Sequence, residues 1–450
     1  MPTTSSPPLV SIDPHDGSVV GEIPVATAAD VHATVARARA AQAAWAALPF
    51  EERARRLALA VPLLESAAEE LGSLLHREMG KPLADAIGEA KGAASAVEHY
   101  VEIARKAVEP QVFREGPDET VLRHDALGVV AVITPWNFPL WMPCSLVYPA
   151  LLMGNACVHK PSEKTPLLGR RFTEIVASVL PAGVLGHVAG AGEVGAELVA
   201  SDVDMVAFVG SQDTGRRIMA SCARGLKRLV LELGGKDPMI VLRDSDLEKA
   251  AQFAVRGAFR NSGQVCCSVE RIFVEKPVAE RFTQRVVELA KEFEIGPLAD
   301  LGQRAKVAAQ VDEARRQGAT VLVGGAITPG AGAFYPPTVI TDLRDDMEIT
   351  RRETFGPVAA IRVVDDAEEA VRRANETDYG LGATVWGGDA ARAESVASRI
   401  QAGMIGINRG IRGVGDSPWV GARQSGFGYT GSVAGTRQFA QVRTITRSVV

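Results

Sequence analysis

Cysteine is scarce in this chain: 450 residues contain five cysteines and seven histidines. Five is too few and too odd a number for a disulfide framework, so a secreted, disulfide-stapled scaffold is excluded and at least one thiol is left over. Neither the cysteines nor the histidines recur at metal-ligand spacing, and no metal is expected. A surplus of charge is also missing, with 49 Lys+Arg against 54 Asp+Glu and a net charge of −5. A dedicated nucleic-acid binder carries a basic excess, so no nucleic-acid partner is expected. No apolar run approaches the ~18 residues of a membrane span, and no membrane partner is expected either. The opening MPTTSSPPLV lacks the charged-then-apolar order of a signal peptide, which makes a cytoplasmic location the expectation. Glycine is plentiful instead: 44 residues, above the usual ~7%, call for many tight turns and close backbone approaches. At ~150 residues per domain the length allows two or three domains.

Past Pro24 the sequence reads as helix. Ala28–Ala47, Glu51–Glu78 and Leu83–Ala107 are rich in Ala, Leu, Glu and Arg, with apolar residues three and four apart. Val112–His124 reads as two short strands around the turn Glu115-Gly116-Pro117-Asp118. From Gly128 short apolar runs alternate with amphipathic stretches. Gly128–Thr134, Ala156–Lys160, Met205–Gly210, Leu229–Leu233, Met239–Leu242 and Ile272–Glu275 are the expected strands, which predicts parallel sheets faced by helices, an α/β fold. Composition shifts near Gly234-Gly235, where a domain boundary is expected.

Four segments carry chemistry. Asn261-Ser262-Gly263-Gln264-Val265-Cys266-Cys267 places two adjacent cysteines in a small polar loop between helix and strand, an exposed place for a nucleophile. Spacing does not choose between Cys266 and Cys267, and small buried cysteines are the commoner use of the residue. Glu232 ends an apolar run before Gly234-Gly235; partly buried there, it would have a raised pKa and could act as a general base. Thr134-Pro135-Trp136-Asn137-Phe138-Pro139 is a rigid turn whose Asn137 amide could donate to a developing oxyanion. Phe208-Val209-Gly210-Ser211 with Gly215 is a strand–turn–helix able to cradle phosphate, and Lys160 with Glu163 could bind ribose hydroxyls.

In this order these segments resemble the NAD(P)-dependent aldehyde dehydrogenase superfamily over nearly the whole chain. The matching residues are Pro135–Pro139, Lys160-Pro161-Ser162-Glu163-Lys164-Thr165-Pro166, Phe208–Ser211 with Gly215, Glu232–Lys236, Asn261–Cys266 and Glu353-Thr354-Phe355-Gly356-Pro357. The resemblance implies Cys266 as nucleophile, Asn137 with the Cys266 backbone N–H as oxyanion hole, and Glu232 as the base that activates water. It implies a dinucleotide, NAD with NADP as the alternative, with Lys160 and Glu163 at the adenosine ribose and the turn Gly210-Ser211 through Gly215 at the pyrophosphate. Trp136, Glu353 and Phe355 would lie at the nicotinamide end, and Ile133, Thr134, Pro135, Ser162, Gly192, Phe208, Leu233 and Gly234 are further cofactor-binding candidates. Glu163 favours NAD, because a carboxylate repels a 2′-phosphate.

The implied fold has two parallel-sheet α/β domains and a β oligomerisation arm. Its bounds are 1–107 with 128–234 for the Rossmann-like NAD-binding domain, 235–435 for the catalytic domain, and 108–127 with 436–450 for the arm. A homodimer or homotetramer is expected, with a small-molecule aldehyde as substrate. Arg260 matches an arginine of the succinate-semialdehyde branch, but Ser145 stands where that branch has a second arginine, and Gly413 where it has a serine. Arg260, Trp141 and Ser145 are the substrate candidates. The family's Pro-Phe-Gly-Gly stretch reads here Pro418-Trp419-Val420-Gly421. A non-catalytic scaffold relative is the contrary reading, opposed by the retained Cys266, Glu232 and Asn137.

Overall fold

The computed structural model describes residues 7–449. Residues 1–6, part of the stretch read for a leader and of the first expected domain, and residue 450, the end of the expected arm, lie outside the described residues. The helix Ala28–Ala47 starts at a capping box, in which Thr27 Oγ1 accepts from Asp30 N (3.2 Å) and the Asp30 carboxylate accepts from Thr27 N (2.9 Å). The stretch expected as one helix over Glu51–Glu78 is three: Phe50–Ala58, Ala60–Ser66 and Ala68–Met79. Pro62 has no N–H to give to the Ala58 carbonyl, and the first break falls there. Leu83–Ala107 follows as a single helix.

Six strands form one sheet in the order Gly426–Phe427, Arg228–Leu233, Met205–Gly210, Val129–Ile133, Ala156–Lys160, Leu185–His187. Seven form the other: Thr320–Val323, Thr338–Thr341, Val358–Val364, Val269–Glu275, Asp237–Val241, Gly382–Trp386, Met404–Ile407. Each is parallel except for one antiparallel edge strand, Gly426–Phe427 in the first and Thr320–Val323 in the second. Val129–Ile133, Ala156–Lys160 and Asp237–Val241 are buried along their whole length, as strands covered on both faces must be, and so show no alternation in sequence. The chain passes from one sheet to the other over residues 234–236.

Gln111–Glu115, Asp118–Ala126 and Ala440–Ser448 make a separate three-stranded antiparallel sheet. Gly426–Phe427 lies within the stretch 235–435 yet pairs with the six-stranded sheet, Gly426 opposite Glu232. This return of the chain brings Trp419 and Ser425 to the strand that carries Glu232, and Ser425 Oγ donates to Gly234 O (2.7 Å). Among the described residues no helix is long and apolar enough to cross a membrane.

Candidate active site

The cleft between the two large sheets gathers the loops that leave their strand ends. After the helix Leu247–Phe259 the chain turns left-handed through Asn261 (φ 53°), Ser262 (φ 56°) and Gly263 (φ 71°). Asparagine and serine pay a steric cost in that region, and their own side chains offset it. Asn261 Nδ2 donates to Asn137 O and Gln264 O (both 3.1 Å), and Ser262 Oγ donates to Gly296 O (2.8 Å). The buried Gln264 side chain donates to Asn261 O (3.1 Å) and accepts from Ala299 N (2.9 Å). Gly263 is required: a Cβ there would lie 2.0 Å from Gly356 O. The motif is thus a self-braced turn whose product is the position of Cys266.

Cys266 Sγ lies 3.5 Å from Glu232 Oε1. The adjacent Cys267 thiol, burial and the Glu232 carboxylate all hold the Cys266 thiol well above its ordinary range. Burial pushes Glu232 up to about 7, and the approach of Trp419 and of Cys266 offsets part of that rise. Trp419 Nε1 is buried and meets no acceptor in full hydrogen-bonding geometry. The arrangement leaves a protonated thiol beside a carboxylate that titrates near neutrality, a donor and an acceptor in contact. All five cysteines are unpaired, and Cys144, Cys157 and Cys222 are buried in apolar packing.

Asn137 is buried beside the cysteine loop, and its Nδ2 donates to Gln264 O (3.1 Å). An amide nitrogen carries two N–H donors, so one is left for a reacting oxygen. Its own carbonyl accepts from Lys81 Nζ as well as from Asn261 (both 3.1 Å).

Across the cleft the 353–355 loop is held by a second set of buried groups. Lys236 Nζ donates to Glu270 Oε2 (2.6 Å) and Thr354 Oγ1 (3.1 Å), and Glu270 accepts from the backbone N–H of Thr354 (2.8 Å) and Phe355 (2.9 Å). Gln303 donates to Phe355 O (2.7 Å). Glu353 Oε1 accepts from Gly235 N (3.2 Å), and a Cβ on Gly234 would meet the Glu353 carboxylate at 2.3 Å, so glycine is what admits it. Burial and the neighbouring Glu270 raise Glu353 to about 8. Trp136 and Phe355 meet edge to face, 5.3 Å between ring centres.

The remaining cofactor candidates line the carboxyl end of the six-stranded sheet. Ile133, Lys160, Gly210 and Leu233 end adjacent strands, and Phe208 lies within one. Thr134 Oγ1 is hydrogen-bonded to the buried His159 (2.9 Å). Lys160 is 4% exposed; its Nζ has Pro161 O at 3.1 Å and Glu163 at 4.0 Å, and burial lowers its pKa. An ammonium with three donors and so few partners fits a hydroxyl-rich, phosphorylated ligand. Ser162 is buried beside it. Gly192 opens the helix Gly192–Ala200 and has open space where a Cβ would stand, so backbone N–H groups of that first turn are approachable. Ser211 caps Gln212–Ala223, and Gly215 packs against Leu233. These features fit a dinucleotide along that sheet edge.

The substrate candidates fare unequally. Arg260 is exposed, with its guanidinium 5.5 Å from the Phe138 ring centre, and Trp141 stacks on the same ring at 5.8 Å. Ser145 Oγ is spent on Met142 O (2.8 Å), one turn back in its own helix. Nothing local in the sequence singles out Lys81, Glu89, Glu270 or Gln303. Their partners are mostly backbone atoms far along the chain, which no local pattern announces.

The model of the aldehyde dehydrogenase family matches residues 2–445. A Mycolicibacterium smegmatis protein provisionally named succinate-semialdehyde dehydrogenase (NADP(+)) is 38% identical, the match covering 96% of this chain and 87% of the relative. A betaine aldehyde dehydrogenase of Cereibacter sphaeroides is also 38% identical, over 97% of this chain and 93% of its own length. Among solved structures, a lactaldehyde dehydrogenase superposes with a TM-score of 0.96 at 34% identity, covering 99% of this chain and 97% of its own.

Proposed function

The chain belongs to the aldehyde dehydrogenase family, NAD(P)-dependent oxidoreductases, and from that premise we propose that it oxidises an aldehyde to the carboxylic acid through a thioester on Cys266. The observation that carries the reading is the 3.5 Å contact between the Cys266 thiol and Glu232. Glu232 takes the thiol proton, and the thiolate adds to the aldehyde carbon. The carbonyl oxygen becomes an oxyanion, met by the free N–H of Asn137 Nδ2 and by the Cys266 backbone N–H. NAD(P), when bound, supplies the acceptor for the hydride that leaves the former aldehyde carbon as the thioester forms. With its proton released to solvent, Glu232 then draws a proton from a water that attacks the thioester. The C–S bond breaks, the acid leaves, and sulfur recovers a proton. A carboxyl that titrates at about 7 suits both transfers.

Lys160, Ser162 and Glu163 would hold the adenosine ribose, and Glu163 beside Lys160 favours NAD over NADP through repulsion of a 2′-phosphate. Arg260 and Trp141 would meet the tail of the aldehyde. A carboxylate-ended aldehyde would find one cation there, because Ser145 stands where the succinate-semialdehyde branch has its second arginine. The arm carries exposed Val112, Phe113, Val442 and Ile445, an apolar face suited to a second copy in a homodimer or homotetramer. Five unpaired thiols suit the reducing cytoplasm.

The test is NADH formation with short aliphatic, aromatic and ω-carboxyl aldehydes. Turnover of one class is expected; a folded protein that binds NAD and oxidises none of them would sink the reading.

A further inference from the structure

Lys81 precedes the helix Leu83–Ala107 and Glu89 lies within it. Both side chains are buried, at 4% and 3% exposure, and their charged ends are in contact. Neither group stops at the other. Lys81 Nζ also donates to Asn137 O (3.1 Å) and sits 4.2 Å from the centre of the Phe138 ring. Glu89 Oε1 accepts from Leu140 N (3.0 Å) and Trp141 N (3.3 Å). Those amides open the helix Trp141–Leu152, whose N-cap Leu140 has no side-chain acceptor of its own. One ion pair therefore grips the segment 137–141 at both ends.

Two charges withdrawn from water cost several kcal/mol each, and an apolar pair of similar volume would often be as stable or more so. An apolar pair could not hold one carbonyl and two amides at fixed points. We propose that Lys81 and Glu89 are positioning residues of the oxyanion site. They fix the main chain of Asn137 so that the N–H left over from Gln264 stays aimed at the oxygen of the aldehyde bound to Cys266. The proposal rests on Asn137 being the oxyanion donor.

The experiment is a mutant cycle read in kcat, KM and NAD affinity. Lys81→Met/Glu89→Gln removes both charges without stranding either, and its new amide oxygen still accepts from Leu140 N and Trp141 N. A misplacement near 1 Å costs as much as ~100-fold, so kcat should fall roughly 10–100-fold while NAD affinity stays within about twofold. Asn137→Ala alone should cost roughly 100–1,000-fold. Added to it, the charge-pair substitution should cost less than about twofold more, because the group it positions is gone. Losses that multiply in full, or an unchanged kcat in the folded pair variant, overturn the proposal. Normal turnover by Asn137→Ala refutes the oxyanion assignment itself, a separate failure. If the pair variant yields no folded protein, Lys81→Arg keeps the charge and shifts the donor. A fall in its kcat with unchanged NAD affinity supports the proposal, and a normal kcat overturns it.

Discussion

On one wall of the cleft the buried pair Lys81–Glu89 ends on the Asn137 carbonyl and the amides of Leu140 and Trp141; on the other, Lys236–Glu270 ends on Thr354 Oγ1 and the amides of Thr354 and Phe355. Both pairs use a charge that water would hold more cheaply to immobilise a loop at a strand or helix end. They differ in what the loop leaves free. The first wall fixes main chain and leaves one N–H of the Asn137 amide beside the cysteine loop, the group proposed as oxyanion donor. The second leaves a carboxylate, Glu353, and the Phe355 ring, which meets Trp136 of the first wall edge to face, groups suited to a flat cofactor ring. The first wall should therefore set kcat, and the second the affinity for NAD.

The sharpest break of that division is chemical. Cys266→Ala should abolish oxidation, a loss of at least about 10⁴-fold by analogy with other covalent nucleophiles, while Cys267→Ala should stay within roughly tenfold. NADH formation measures both, and the reverse ranking would make Cys267 the nucleophile. Glu232→Gln comes next, with hydrolysis slowed on the order of 10²–10⁴-fold, the worth of a general base. Its pH behaviour follows from a folded pKa of about 7 against an ordinary 4.5. The ionised form is the base, so the wild-type rate should rise with pH up to about 7 and level off above it. Stability runs the other way. The unfolded chain gives up this proton first, so stability falls as pH rises from about 4.5 to about 7, and Glu232→Gln should remove that fall. The gain at pH 8, absent at pH 4, is on the order of 3 kcal/mol and is read from denaturant melts.

On the second wall, Lys236→Met/Glu270→Gln should raise the KM for NAD roughly tenfold with kcat changed less than threefold, the mark of lost ground-state binding. A fall in kcat alone would erase the contrast between the walls. The smallest effect lies outside both: Arg260→Met should weaken ω-carboxyl aldehydes by roughly 1.5–5-fold in KM, the scale of one exposed charge pair, and leave apolar aldehydes unchanged.

Much of the scaffold is legible in the residue order. Ala156–Lys160 and Met205–Gly210 are strands over the residues their apolar runs mark, because a strand buried on both faces is bounded by the glycines and polar residues that end it. The Glu115–Asp118 turn between the arm strands is equally plain. The break after Ala58 is not, since its cause is a proline four residues further on. Residue pattern alone leaves Cys266 and Cys267 open, and the preference for the first comes from the family resemblance that the six ordered motifs carry. The reason for the Asn-Ser-Gly-Gln spelling, a left-handed turn braced by its own side chains, needs the backbone angles. Glu270 and Gln303 act on backbone atoms 84 and 52 positions away, beyond the reach of any local signature.

Everything proposed for the cleft stands on covalent chemistry at Cys266 followed by hydrolysis that depends on Glu232. Glu232→Gln protein mixed with aldehyde and NAD, quenched and digested, tests it most directly by mass spectrometry. One acyl group should accumulate on the peptide that carries Cys266, released slowly. An unmodified Cys266 in a variant that turns over at the normal rate would contradict it.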